Sequence, residues 1–151
     1  MPGFELINKE EQKAVNSIFK DGGVLFAHGF EKIRKNFHVR EFEKKTSSFF
    51  KSKYALAVTS GTAAIKIALK ALNVKPGDEV ITQAFNFIAT IEAIVDVGAK
   101  PIIVNVDKTL NMDIEDLKKK ITKKTKVVLP VHMLGYPCDM RKIKKICKKN
   151  K

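Results

Sequence analysis

The sequence contains no tryptophan, two cysteines and three arginines among 29 basic residues. Each shortage excludes something. Cys138 and Cys147 stand nine positions apart with no second pair, so neither a disulfide framework nor a zinc site is expected. A reducing, cytoplasmic setting is then the default expectation. No apolar run reaches the roughly 18 residues that a membrane-crossing helix requires. The opening residues Met1-Pro2-Gly3-Phe4-Glu5 lack a basic-then-apolar leader pattern. No membrane partner is expected. With 8 glycines and 5 prolines against 44% hydrophobic residues, collagen-like, low-complexity and disordered classes are excluded.

What is present is a 151-residue chain of net charge +13, a length that suits one domain with a sizeable core. The charge is uneven. The chain up to Leu117 carries a net +1, whereas Lys118–Lys151 carries +12, with Asp139 the sole acidic residue. Such a stretch is read either as a surface for nucleic acid or anionic membranes, or as a solvated helix face and tail. The 26 lysines outnumber Arg34, Arg40 and Arg141, and Tyr136 is the single aromatic residue of the basic stretch. Bidentate and stacking contacts to bases are therefore scarce, and nucleic acid is not the expected partner.

The first third reads as helices and loops. Ala14, Val15, Ile18 and Phe19 give helical spacing within 10–19, and Asp21-Gly22-Gly23 ends that helix. A second amphipathic pattern covers about 39–50, with Phe42, Phe49 and Phe50 as expected core contacts. From Tyr54 the pattern becomes regular. Apolar strands are expected at 55–58, 79–82, 101–106 and 126–131. Helices are expected at 63–72, 86–97, 113–121 and 139–148, with Asn111 or Asp113 capping the third. Strands that are apolar on both sides and alternate with helices predict an α/β fold: a mainly parallel sheet with helices on both faces. Ligands of such sheets bind at the carboxyl ends of the strands. The turns to search are 60–62, 83–87, 107–111 and 132–139.

Two of these turns carry candidate chemistry. Ser60-Gly61-Thr62 joins an expected strand to a helix. Unpaired amides and the positive dipole end of a helix favour a phosphate, Gly61 allows close approach and two hydroxyls flank it. The lysine and long glycine loop of a P-loop are missing. The plainer reading, a helix capped by Ser60, stands beside the phosphate cradle. Phe85-Asn86-Phe87 places two aromatics at the end of the second expected strand. They would stack on a flat ring or belong to the core.

In this order and spacing the motifs resemble the DegT/DnrJ/EryC1/StrS aminotransferases. The matching pieces include Phe42-Glu43, 57–64 (AVTSGTAA), 75–81 (KPGDEVI), 85–90 (FNFIAT), 98–101 (GAKP) and 130–139 (PVHMLGYPCD). The resemblance implies the large domain of the fold-type I pyridoxal-phosphate (PLP) enzymes, here a truncated three-layer α/β/α. It divides the chain into a helical segment, 1–53, and the N-terminal part of a PLP-binding domain, 54–151. It implies that Ser60, Gly61 and Thr62 hold the cofactor phosphate and that Phe87 stacks on the pyridine ring, Ser60 being the weaker of these because capping alone would account for it. It implies amination of a nucleotide-linked keto-sugar with an amino-acid donor.

The resemblance also places the Schiff-base Lys and the pyridine-binding Asp after the matching segment. No lysine here stands in an environment that would lower its pKa. The 151 residues alone are therefore expected not to transaminate, and to associate as a homo-oligomer or with a complementing C-terminal part. Asn86 replaces the family's usual Thr, Tyr136 replaces its usual Gln, and 28–31 (HGFE) does not follow its pattern. The resemblance leaves amination and dehydration of the sugar unseparated. The alternative to an aminotransferase piece is a non-catalytic remnant or a basic partner-binding α/β module.

Overall fold

A computed structural model describes residues 3–150. They form two compact units that divide between Ala57 and Val58.

The first unit contains two helices, α1 (Lys9–Lys20) and α2 (His38–Phe49). Asn8 starts α1 with a capping box: its side chain accepts from Glu10 N (2.9 Å), and Glu11 accepts from Asn8 N (2.8 Å). The loop between the helices is held by polar contacts. The Asp21 carboxylate accepts from Lys35 N and Asn36 N, which holds its pKa below the usual aspartate value. Buried Arg34 donates to Phe26 O (2.6 Å) and Ala27 O (3.1 Å) while lying over the Phe37 ring. Phe42, Phe49 and Phe50 are not core contacts; all three are exposed. The amphipathic stripe of α2 is real, but no apolar layer within this unit covers it.

The second unit has the element order α3 (Gly61–Ala71), β1 (Glu79–Gln83), α4 (Ala89–Asp96), β2 (Lys100–Val104), α5 (Ile114–Lys120), β3 (Thr125–Leu129) and α6 (Met140–Lys149). The sheet is parallel, in the order β2-β1-β3, with Ile81 opposite Ile102 and Val128. Three strands form where four were expected. Residues 55–58 carry strand-like sequence but pair with no strand. The Ala57 amide donates to the Glu43 carboxylate (2.9 Å) instead of to a ladder carbonyl.

Central β1 is buried along its whole length, which explains its continuous run of bulky residues. Pleating sends Val80 and Ile81 to opposite faces. Val80 joins Leu69, Val74, Ile94, Val97 and Ala99 under α3 and α4. Ile81 joins Val104, Met112, Leu117, Cys138 and Ile143 under α5 and α6. Gly98 makes the tight return from α4 to β2: its φ is +82°, and an added Cβ would lie 2.9 Å from Pro76 Cγ. Asp113 supplies the α5 cap, accepting from Glu115 N (2.8 Å) and Asp116 N (2.9 Å). Among the described residues no helix is long and apolar enough to cross a membrane.

Candidate cofactor site

Ser60 is the N-cap of α3; its hydroxyl accepts from Ala63 N at 3.1 Å. The plainer reading of this turn is therefore met. It does not use up the turn, because the amides of Gly61 and Thr62 have no acceptor in the helix ladder. Gly61 is exposed, and a Cβ built on it meets nothing within 4 Å. The space in front of the helix is open, with two amides and the positive dipole end facing it.

α3 runs back to the start of β1 through the short turn 72–78, so its N-terminus lies toward the end where β1 finishes. At that end stand Phe85 and Phe87. Phe87 is 74% exposed, so it is no core residue, and Phe85 is only partly covered. The structure thus brings Ser60, Gly61, Thr62 and Phe87 to one end of the sheet. Asn86, between the two rings, donates its Nδ2 to Gln83 O. Its Oδ1 is buried without a partner among the described residues. An anion-binding helix start, an exposed flat ring and an unpaired acceptor suit a ligand that joins a phosphate to an aromatic ring with donors on it.

Behind these groups lie residues of the searched turns to which the sequence pattern gave no site role, Asn111 having been read only as a possible helix cap. Gln83, fully buried, accepts from Val131 N (3.1 Å) and donates to Leu110 O (3.0 Å) and Phe85 O (3.3 Å). Asn111, also buried, accepts from Met133 N (3.1 Å) and donates to Tyr136 O (3.2 Å). The Cys138 thiol points at Asn111 Oδ1 (3.3 Å), and burial pushes its pKa up, which keeps it protonated. His132 Nδ1 accepts from Cys138 N (3.0 Å), closing the 132–138 loop on itself. The available sign for Gln83 was its place at the carboxyl end of β1, where ligands and their supporting groups gather in parallel sheets.

The basic stretch falls elsewhere. Lys118–Lys120 close α5, Lys123 and Lys124 lie in the turn entering β3, and Lys148 and Lys149 close α6. Lys118–Lys120, Lys148 and Lys149 stand at helix C-termini, where the dipole favours cations, whereas Arg141, Lys142, Lys144 and Lys145 lie along α6.

The fold and these turns define a parallel α/β protein with an open helix start and an exposed aromatic at one end of its sheet. The chain belongs to the DegT/DnrJ/EryC1/StrS aminotransferase family, which it matches over residues 6–151. It is 38% identical over 111 residues to GDP-perosamine synthase of Vibrio cholerae, covering 73% of this chain and 30% of that protein. It superimposes on the aminotransferase of Psychrobacter cryohalolentis with TM-score 0.85 at 35% identity, over 95% of this chain and 35% of the other. Bacillus subtilis NtdA, solved with bound cofactor PMP, gives TM-score 0.81 at 35% identity, over 95% of this chain and 32% of the other. The chain spans about a third of the length of these relatives.

Proposed function

We propose that this chain supplies the phosphate-holding and ring-stacking part of a PLP-dependent aminotransferase that acts on a nucleotide-linked keto-sugar, with an amino acid as donor. The observation that carries the reading is the pairing of the open α3 N-terminus with exposed Phe87 at one end of the sheet. The family membership and the GDP-perosamine synthase likeness support the substrate class. The cofactor, when bound, supplies an electron sink that lets an amino group pass between donor and acceptor carbons.

Each residue then has a physical task. The amides of Gly61 and Thr62 and the Thr62 hydroxyl hold the phosphate dianion. Ser60 fixes the first turn through its bond to Ala63, and its hydroxyl proton stays available to the same phosphate. Phe87 covers one face of the ring and excludes water from it. Phe85 lines the same edge. The domain reading, a helical segment 1–53 followed by part of the PLP-binding domain 54–151, belongs to this proposal. So does association with another copy or with a complementing part, which would supply groups for covalent bonding to the cofactor. The helical lysines named above take no part.

Binding of 4′-deoxypyridoxine 5′-phosphate tests the reading. This analogue has no aldehyde, so the 26 lysines cannot bond it indiscriminately. Phosphorus NMR is expected to show saturable binding to the chain. Gly61→Asp places a carboxylate in open space at the helix start, where it leaves the fold intact and repels the phosphate. It is expected to weaken binding about tenfold, roughly 1.4 kcal/mol. Undiminished affinity in Gly61→Asp would sink the phosphate assignment.

A further inference from the structure

We propose that the buried amides of Gln83 and Asn111 are positioning residues. They lock the three loops at the carboxyl ends of the strands into one rim, and thereby set where the Phe87 ring stands. The proposal rests on the cofactor reading for what the rim serves. The rim itself rests on geometry alone.

Gln83 is the last residue of β1 and is 0% exposed. A core position in a layered sheet favours an apolar side chain, since a buried amide gains nothing from desolvation unless its atoms are paired. Here they are paired, and every partner lies in a loop. Nε2 reaches Phe85 O in the loop after β1 and Leu110 O in the loop after β2, while Oε1 takes Val131 N in the loop after β3. One side chain therefore joins all three strand-end loops.

Asn111 repeats the device one layer out. Its Nδ2 bonds Thr109 Oγ1 and Tyr136 O, and its Oδ1 takes Met133 N and faces the Cys138 thiol. The loop after β2 and the loop after β3 are thus tied twice.

The tie reaches Phe87 through the main chain. Gln83 O accepts from Asn86 Nδ2, and Asn86 immediately precedes Phe87. Displacement of Gln83 would move the turn that aims the ring. The ring is 74% exposed, so little packing holds it and the turn behind it bears on its direction.

Replacing Gln83 by an apolar residue leaves the Val131 amide and the Leu110 carbonyl unpaired, which loosens all three loops together. Replacing it by Glu separates the two halves of the device. An ionised carboxylate still accepts from Val131 but donates nothing to Phe85 or Leu110. Protonation restores one donor.

The test uses the full chain, labelled with nitrogen-15. In Gln83→Leu, amide exchange at Val131, in 84–88 and in 107–111 is expected to quicken together, by about tenfold, while the Ile81 and Ile102 amides stay protected. In Gln83→Glu, the shifts of 84–88, 107–111 and the Phe87 ring are expected to depart from those of the unsubstituted chain at neutral pH. They return toward them as the introduced carboxyl protonates. A side chain that merely fills space gives no such pH-dependent return. The Glu variant also keeps the test open if Gln83→Leu does not fold.

Changes confined to the neighbours of residue 83, or no return at low pH, would overturn the proposal. Binding of 4′-deoxypyridoxine 5′-phosphate separates it from the cofactor reading. A weakening of about fivefold in Gln83→Leu supports positioning, and equal affinity despite loosened loops refutes it. No binding by the unsubstituted chain sinks the cofactor reading, and exchange and Phe87 shifts then decide the rim alone.

Discussion

The segment before Ala57 and the segment after it are both rich in apolar residues, yet they use them differently. Eight of the ten phenylalanines precede Ala57. Seven of those eight are at least 50% exposed, and the helices there contain no buried residue. That region is held by a capping box, an aspartate that ties two distant amides and an arginine that grips two carbonyls. After Val58 the smaller aliphatics Val80, Ile81, Ile94, Val104 and Leu117 are fully buried in two layers around β1. An apolar stripe states a demand for burial. Here the sheet, which presents two faces at once, meets that demand.

The largest expected effect sharpens this contrast. Leu117→Ala or Ile94→Ala opens a cavity in a packed layer and should cost about 2–5 kcal/mol in a urea titration. Phe49→Ala removes a larger side chain from an exposed position and should change stability by no more than about 0.5 kcal/mol. Comparable losses from the two kinds of substitution would erase the distinction between the regions.

The same contrast explains what was legible in the sequence. The periodicities of α1, α2, α3 and α6 and the strand runs of β1, β2 and β3 are local, and the structure bears out their positions to within a few residues, although only β1 is buried along its whole length. The aromatic core under α2 and the strand at 55–58 are not local properties. Phe42, Phe49 and Phe50 have the right spacing but no layer in their unit to meet. Residues 55–58 have the right composition, but Glu43 takes the Ala57 amide that a neighbouring strand would need. The turns Ser60–Thr62 and Phe85–Phe87 were visible because parallel α/β topology says where to look. The rim behind them was not, because the partners of Gln83 and Asn111 lie up to 48 residues away.

Glycines sharpen the comparison at a smaller scale. Gly98 and Gly29 both have positive φ, +82° and +79°. A Cβ at Gly98 would collide with Pro76, whereas one at Gly29 meets open space. Gly98→Ala should therefore cost about 2–3 kcal/mol, strain plus displacement of a packed turn. Gly29→Ala should cost about 1 kcal/mol, strain alone. Equal melting shifts for the two variants would show that the loop before α2 is as tightly packed as the sheet.

Acid should separate the two regions by the smallest margin. Hydrogen bonds from the amides of Asn36 and Lys35 hold the Asp21 pKa below the usual aspartate value. A carboxyl with a depressed folded pKa contributes stability above its unfolded pKa, about 3.9, and loses it as pH falls through the folded value. Of the depressed carboxyls after Val58, Asp107 and Asp139 make short local ties, with Thr109 and Lys142, and Asp116 holds the Asn105 amide 11 residues away, beside the buried layer of Leu117. Protonation there frays a turn and a helix cap, while the buried layers around β1 persist. Protonation of Asp21 removes a tie across 14 residues in a region without a buried apolar layer. Amide exchange followed from pH 6 downward should therefore show Lys35 and Asn36 losing protection below about pH 4, before any β1 amide does. Asp21→Asn should remove that pH dependence while keeping part of the hydrogen bonding. Simultaneous loss across both regions would mean that they unfold as one cooperative unit, and the contrast between polar ties and apolar layers would then have no thermodynamic meaning.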